Sequence, residues 1–173
     1  MLIDVKFFVF HDGNKGKISE YRIGNQVNVL NEAFGGKQHS LGVNSKIKFR
    51  LKEIQYIENK KFYSSCGYSE SEIIKKYSGN TKKYISVYVC NDDYLGYAYY
   101  PWHGKEGDID QVVFLNGIAL TGSNLKLYDI GLTLVHELGH FFGLPHTFND
   151  NRKCSSSGDD GFTDTPIEKT PNS

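Results

Sequence analysis

Residues 136 to 146 read His-Glu-Leu-Gly-His-Phe-Phe-Gly-Leu-Pro-His, and no other stretch restricts the chain's structure as strongly. Residues four apart on an α-helix lie about 40° apart in azimuth and about 6 Å apart along the axis. On a helix, His136 and His140 therefore aim two imidazoles at one point from one face. Glu137, about 100° round from His136, stands beside that point, which suits a base more than a ligand. Gly143 is a helix stop, since glycine reaches left-handed backbone angles cheaply, and Pro145 keeps the helix from resuming. The chain can then turn back and bring His146 to the same point. Three imidazoles leave a fourth coordination position open, as in a catalytic zinc site rather than a closed structural one. Two histidines four apart also describe a surface helix with solvated side chains. Gly143 and His146 at their spacings separate the two readings.

The run from His136 to His146 matches the extended zinc signature of the metzincin metallopeptidases. The residues beyond His146 narrow the likeness: Thr147-Phe148, Cys154, Gly158-Asp159-Asp160 and Asp164-Thr165-Pro166. Together these residues resemble the pappalysin family, which includes ulilysin-like secreted proteases. Upstream, a strand ending in Val9-Phe10-His11 is similar, as are Leu30-Asn31-Glu32-Ala33-Phe34 and Leu95-Gly96-Tyr97-Ala98 followed by Pro101. The resemblance covers nearly the whole chain and strengthens from about Leu132.

The resemblance implies an α+β, zincin-like fold: a twisted mixed β-sheet backed by two main helices, with the zinc helix flooring the cleft. It implies one metallopeptidase catalytic domain over residues 1–173, with an upper subdomain at 1–143 and the start of a lower part at 144–173. The same likeness implies a function. His136, His140 and His146 would hold Zn2+, and Glu137 would act as general base on a metal-activated water in peptide-bond hydrolysis. A peptide or protein substrate would add to an edge strand at Leu95, Gly96, Tyr97 and Ala98; an ordinary edge strand without ligand is the alternative.

The family also places a methionine turn, usually followed by a tyrosine, beneath the zinc and downstream of the third histidine. The single methionine here is Met1, so the expectation is a chain lacking that part, cut short or naturally short. A zinc-binding pseudoenzyme or peptide-binding module without a complete cleft is the rival reading. A zinc hydrolase acting on a non-peptide amide is a third. Some family members bind Ca2+ beside the active site. Asp159, Asp160, Asp164 and Thr165 are the candidate oxygen donors here, against a plain solvated loop, because their spacing fits no EF-hand. By family resemblance the protein is expected to be secreted or at the cell surface.

Lysine plus arginine and aspartate plus glutamate each number 20, so the net charge is zero. That argues against a general nucleic-acid or anionic-membrane surface. No apolar run approaches the roughly 18 residues of a membrane span. Met1 to Phe8 is too short and too charged for a signal peptide. Of the three cysteines, Cys66 and Cys90 can pair, or all three can be thiols. In the family, the cysteine near Cys154 commonly bonds to one further downstream; none occurs there in this chain, so Cys154 is expected to be a free thiol.

Periodicity supplies the remaining elements. Ile3 to Phe10 is an apolar, aromatic strand. Ser19 caps a helix whose inner stripe is Ile23, Val27, Leu30 and Phe34, ended by Gly35-Gly36. Ile47, Phe49 and Leu51 alternate with basic residues in a strand over 46–57. Ser69-Glu70-Ser71-Glu72 has capping-box spacing before a short helix to about Tyr77. A strand over 83–90 puts Ile85, Val87 and Val89 on one face. Leu95 to Tyr100 and Gln111 to Leu115 are further strands, with a loop at 101–104 whose Trp102 and His103 could line the cleft, though a structural Trp and a solvated His are the expectation. Asp129 is the expected cap of the histidine helix, with Leu132, Val135 and Leu138 turned inward. Residues 149–173 read as loop.

Overall fold

The computed structural model describes residues 1–78, 83–103, 112–126, 128–148, 160 and 162. Its strands are β1 (Leu2–His11), β2 (Lys48–Glu58), β3 (Ile85–Cys90), β4 (Gly96–Ala98) and β5 (Val112–Asn116). Its helices are α1 (Glu20–Phe34), α2 (Lys60–Ser64), α3 (Glu70–Tyr77) and α4 (Leu132–Phe141). The strands form one mixed sheet in the order β2-β1-β3-β5-β4. β2, β1, β3 and β5 run parallel, and β4 is antiparallel to β5 at the edge.

Alternation along β1 sorts its side chains onto two faces. Val5, Phe7 and Val9 pack with Ile23, Val27 and Leu30 of α1 and with Leu134 and Leu138 of α4. Phe8 and Phe10 turn the other way, onto Phe62 of α2, Ile73 and Ile74 of α3, Tyr88 and Phe114. Both faces are therefore covered, as parallel strands require. This also explains β3, where all six residues are buried. Its sequence shows Ile85, Val87 and Val89 as one apolar face; Ser86, Tyr88 and Cys90 fill the other.

Along β2 the register with β1 slips once, so that Val5 pairs with Leu51 and Lys6 with Glu53. The extra residue shifts the phase of the strand by one. Ile54 thereby continues the face begun by Phe49 and Leu51.

Two expected helix starts are corrected. Ser69 makes no capping hydrogen bond; its hydroxyl is buried without a partner and Glu72 pairs with Lys61 instead. The short turn at Gly67–Ser69 leads straight into α3, so the backbone at Ser69 is not in the extended form that capping needs. At α4 the capping residue is Gly131, not Asp129, at φ +79°. A Cβ there would lie 2.6 Å from Gln26 Oε1, and Gln26 Nε2 donates to the Gly131 carbonyl at 2.8 Å. Close approach of α1 therefore requires glycine. Ser19 does cap α1, accepting from Arg22 N at 3.3 Å. The strand expected over 95–100 contracts to Gly96–Ala98. Asn59 starts α2, which sequence periodicity did not reveal; its side chain accepts from Phe62 N at 3.0 Å.

Cys66 and Cys90 are bridged, with Cα atoms 6.3 Å apart. The bridge ties the segment before α3 to the end of β3. Cys154 lies outside the described residues.

Candidate metal centre

Helix α4 ends where the sequence indicates. Gly143 stands at φ +94°, Gly143 N donates to His140 O and Leu144 N to Gly139 O, each at 2.9 Å. This paired closure is a Schellman motif, which caps the last carbonyls and turns the chain back over the helix end. The reversal carries His146 to His136 and His140. Nε2 of His140 lies 2.9 Å from Nε2 of both His136 and His146, and those two are 3.1 Å apart.

Three ring nitrogens at such distances cannot all be satisfied by hydrogen bonds to one another. They do fit a cation. Nitrogens about 2.0–2.1 Å from a tetrahedral zinc lie about 3.4 Å apart, a few tenths of an ångström wider than here. The tautomer agrees: Nδ1 of His140 is 2.7 Å from the Leu144 carbonyl, so it carries the proton and leaves the Nε2 lone pair free. Burial, then the neighbouring rings of His140 and His146, lowers the His136 pKa, which favours the neutral, ligating imidazole. Soft-to-borderline imidazole donors, without carboxylate or carbonyl oxygen in the trio, suit zinc better than calcium or magnesium.

The rings are held in place from outside. The Tyr100 ring packs edge-on against His140 at 5.1 Å, and Phe148 stacks on His146 at 4.5 Å. Trp102 is exposed and stacks on Tyr100 at 4.6 Å. It therefore braces the ring beside His140, a structural role at the surface. Tyr100 carries no sequence signal for this role, since it arrives by tertiary packing, whereas Phe148 lies only two residues beyond His146.

Glu137 is buried, and burial pushes its carboxyl up to about 7. Its aliphatic part meets β4: a Cβ on Gly96 would stand 3.1 Å from Glu137 Cγ. The expected substrate strand and the expected base are thus adjacent. Gly96 and Ala98 belong to β4, Leu95 precedes it with its carbonyl accepting from Asn116 N at 2.9 Å, and Tyr97 points to the opposite face of the sheet. Asp159, Asp164 and Thr165 of the expected calcium site lie outside the described residues. Oδ1 of Asp160 accepts from Phe162 N at 3.0 Å.

Among the described residues no helix is long and apolar enough to cross a membrane. Residues 67–173 match the peptidase family described as pregnancy-associated plasma protein-A. An extracellular metalloprotease of Arthroderma benhamiae is 29% identical over 99% of this chain and 56% of its own length. One of Sordaria macrospora is 33% identical over 91% of this chain and 53% of its own. The chain thus spans about half the length of the curated relatives it matches. Mature mirolysin of Tannerella forsythia, solved with a cleaved peptide, superposes with a TM-score of 0.84 at 28% identity, covering 99% of this chain and 73% of that one.

Proposed function

The chain belongs to the pappalysin family of metzincin metallopeptidases, and on that premise we propose that it carries a zinc-dependent endopeptidase centre. The observation that supports this reading best is the convergence of three Nε2 atoms within 3.1 Å, beside a buried glutamate. His136, His140 and His146 are the proposed zinc ligands. Zinc bound there would supply the positive charge that acidifies a water and polarises a peptide carbonyl.

The remaining roles fall to the protein's own groups. Glu137 takes a proton from the water on a carboxylate oxygen and delivers it to the departing amide nitrogen. A carboxyl lifted toward neutrality by burial is suited to both halves of that task. The Leu144 carbonyl fixes the His140 tautomer. Leu134 and Leu138 keep water from the inner side of the helix. The free edge of β4 offers backbone groups to an extended peptide, as the sheet order leaves that side without a neighbouring strand among the described residues.

In this reading residues 1–143 form the upper part of one catalytic unit and 144–173 begin the part below. Like the relatives named extracellular metalloproteases, the protein would act outside the cell.

A fluorogenic peptide library, assayed with and without a zinc chelator, tests the proposal. Cleavage that the chelator abolishes and zinc restores is the expected result. Glu137→Ala should retain zinc and lose hydrolysis. Zinc binding with no peptide cleaved by the native protein would favour a zinc-binding pseudoenzyme instead.

A further inference from the structure

Residues along β4 and just beyond it alternate between the two sides of the sheet. Gly96 lies against Glu137, Ala98 packs on the core that includes Leu134 and Leu138 of α4, and the Tyr100 ring meets His140. Tyr97 and Tyr99 turn to the other side. There both phenols donate to one carboxylate, that of Glu70, at 3.1 Å from Tyr97. We propose that Glu70 is a positioning residue for hydrolysis, which holds Tyr97 and Tyr99 and thereby sets the distance of β4 from the helix carrying Glu137 and His140. The inference rests on the peptidase reading above and adds to it a residue on the far side of the sheet.

β4 requires such a hold. It is three residues long, and among the described residues it pairs on one side only, with Val113, Phe114 and Leu115 of β5. A short edge strand with few partners is among the parts of a fold that open most easily. Tyr97 stacks on Phe114 at 4.9 Å, and a stack resists separation of two rings more than it resists sliding.

Glu70 supplies the constraint from a fixed base. It is the first residue of α3, and Ile73 and Ile74 of that helix are buried in one cluster with Phe8, Phe10 and Tyr88. Just before α3, Cys66 is bridged to Cys90 at the end of β3. The helix is thus tied to the middle of the sheet, and Glu70 extends that tie to the edge.

A carboxylate suits the task. Its two oxygens each take one phenol, Oε2 from Tyr97 and Oε1 from Tyr99. Hydrogen bonds to an ionised acceptor are roughly twice as strong as neutral ones. Two of them, to alternate residues, fix the strand's tilt as well as its position along the sheet. Burial, and then Glu70 itself, raises the Tyr97 pKa, so the phenol keeps the proton it donates. Glu72 on the same helix makes the contrast: its carboxylate is exposed and pairs with Lys61.

Displacement of β4 acts on several groups at once. Gly96 would leave Glu137, Tyr100 would leave His140, and a peptide paired with the strand would move with it. Misplacement by about 1 Å costs about 100-fold in rate.

The test compares kcat and KM of the native chain, Glu70→Ala, Tyr97→Phe/Tyr99→Phe and all three substitutions together, at equal zinc content. Phenylalanine keeps both rings and removes both donors. Glu70→Ala and the phenylalanine pair should each lower kcat/KM about ten- to hundred-fold, with KM raised. The triple variant should be no worse than either, because Glu70 acts only through the two phenols. Glu72→Gln should stay within about two-fold of native. Losses that multiply in the triple variant, an equal loss in Glu72→Gln, or a fall in kcat at native KM, the mark of a smaller folded fraction, would each overturn the proposal.

A second readout does not depend on cleavage. In the metal-free protein, amide hydrogen exchange over residues 96–100 should quicken about ten-fold in Glu70→Ala and in the phenylalanine pair, while amides of β3 keep native rates. Native exchange in Glu70→Ala, or a rise shared equally by β3, overturns the hold on β4. Faster exchange confined to β4 in a protein that cleaves no peptide sustains the hold and sinks the peptidase reading.

Discussion

Gly96 and Glu137 are packed so closely that a β-carbon on the glycine would stand 3.1 Å from Cγ of the glutamate. The same β-carbon would lie 3.1 Å from the Phe114 carbonyl, which is backbone and has little room to retreat. Gly96→Ala should therefore push β4 away from α4. Overpacking of this kind costs about 1–3 kcal/mol, and the displaced glutamate should cost activity as well. Thermal unfolding and kcat/KM, measured together, check this; a variant with native values in both would show that the contact has slack.

Removing the metal should expose how much of the fold depends on it. A ligand that binds only the folded state stabilises it by about 2.7 kcal/mol when present at about 100 times its Kd. Zinc added to chelator-stripped protein should raise Tm accordingly. His146→Ala deletes one of the three converging nitrogens, so its Tm should respond far less to zinc. An unchanged zinc response would mean that His146 is not a ligand.

Stability of the metal-free protein should fall as pH rises through the neutral range. Burial lifts the Glu137 carboxyl from 4.5 to about 7. Between those values the folded chain holds a proton that the unfolded chain has lost, so unfolding becomes easier with rising pH. The full penalty, present above about pH 7, is on the order of 3 kcal/mol. Glu137→Gln should raise Tm clearly at about pH 8 and little at about pH 4.5. Equal gains at both would show that the carboxyl titrates normally.

Gly143 closes α4 at φ +94°, with Trp102 Cζ3 only 3.4 Å from where a β-carbon would be. For a residue with a side chain, left-handed backbone angles cost about 1–2 kcal/mol. Gly143→Ala should show that loss in denaturant unfolding and should weaken zinc binding, because the turn delivers His146. Full zinc affinity in a destabilised variant would uncouple the two.

The helix-and-turn carrying the histidines was legible because its chemistry is local: His136, Glu137, His140, Gly143 and His146 fall within eleven consecutive positions. Helix α1 was legible for the same reason, through its stripe and its Ser19 cap. The features that escaped reading depend on partners distant in sequence. Gly131 rather than Asp129 starts α4 because Gln26 approaches it. Ser69 lost its cap to the turn before it. Tyr100 reached His140, and Gly96 reached Glu137, only once β4 had joined the sheet. Lys52 marks the slipped register in β2, a detail that alternation of Phe49 and Leu51 cannot reveal.

The Schellman turn at Gly143 also bears on assembly. It closes the histidine trio within a loop of a few residues, so gathering those donors costs little chain entropy. The wall provided by β4 must await strands far apart in sequence. Since all five strands precede His136 in the chain, the parts of the sheet are at hand before the third donor is made, and one short reversal is all that remains to close the trio.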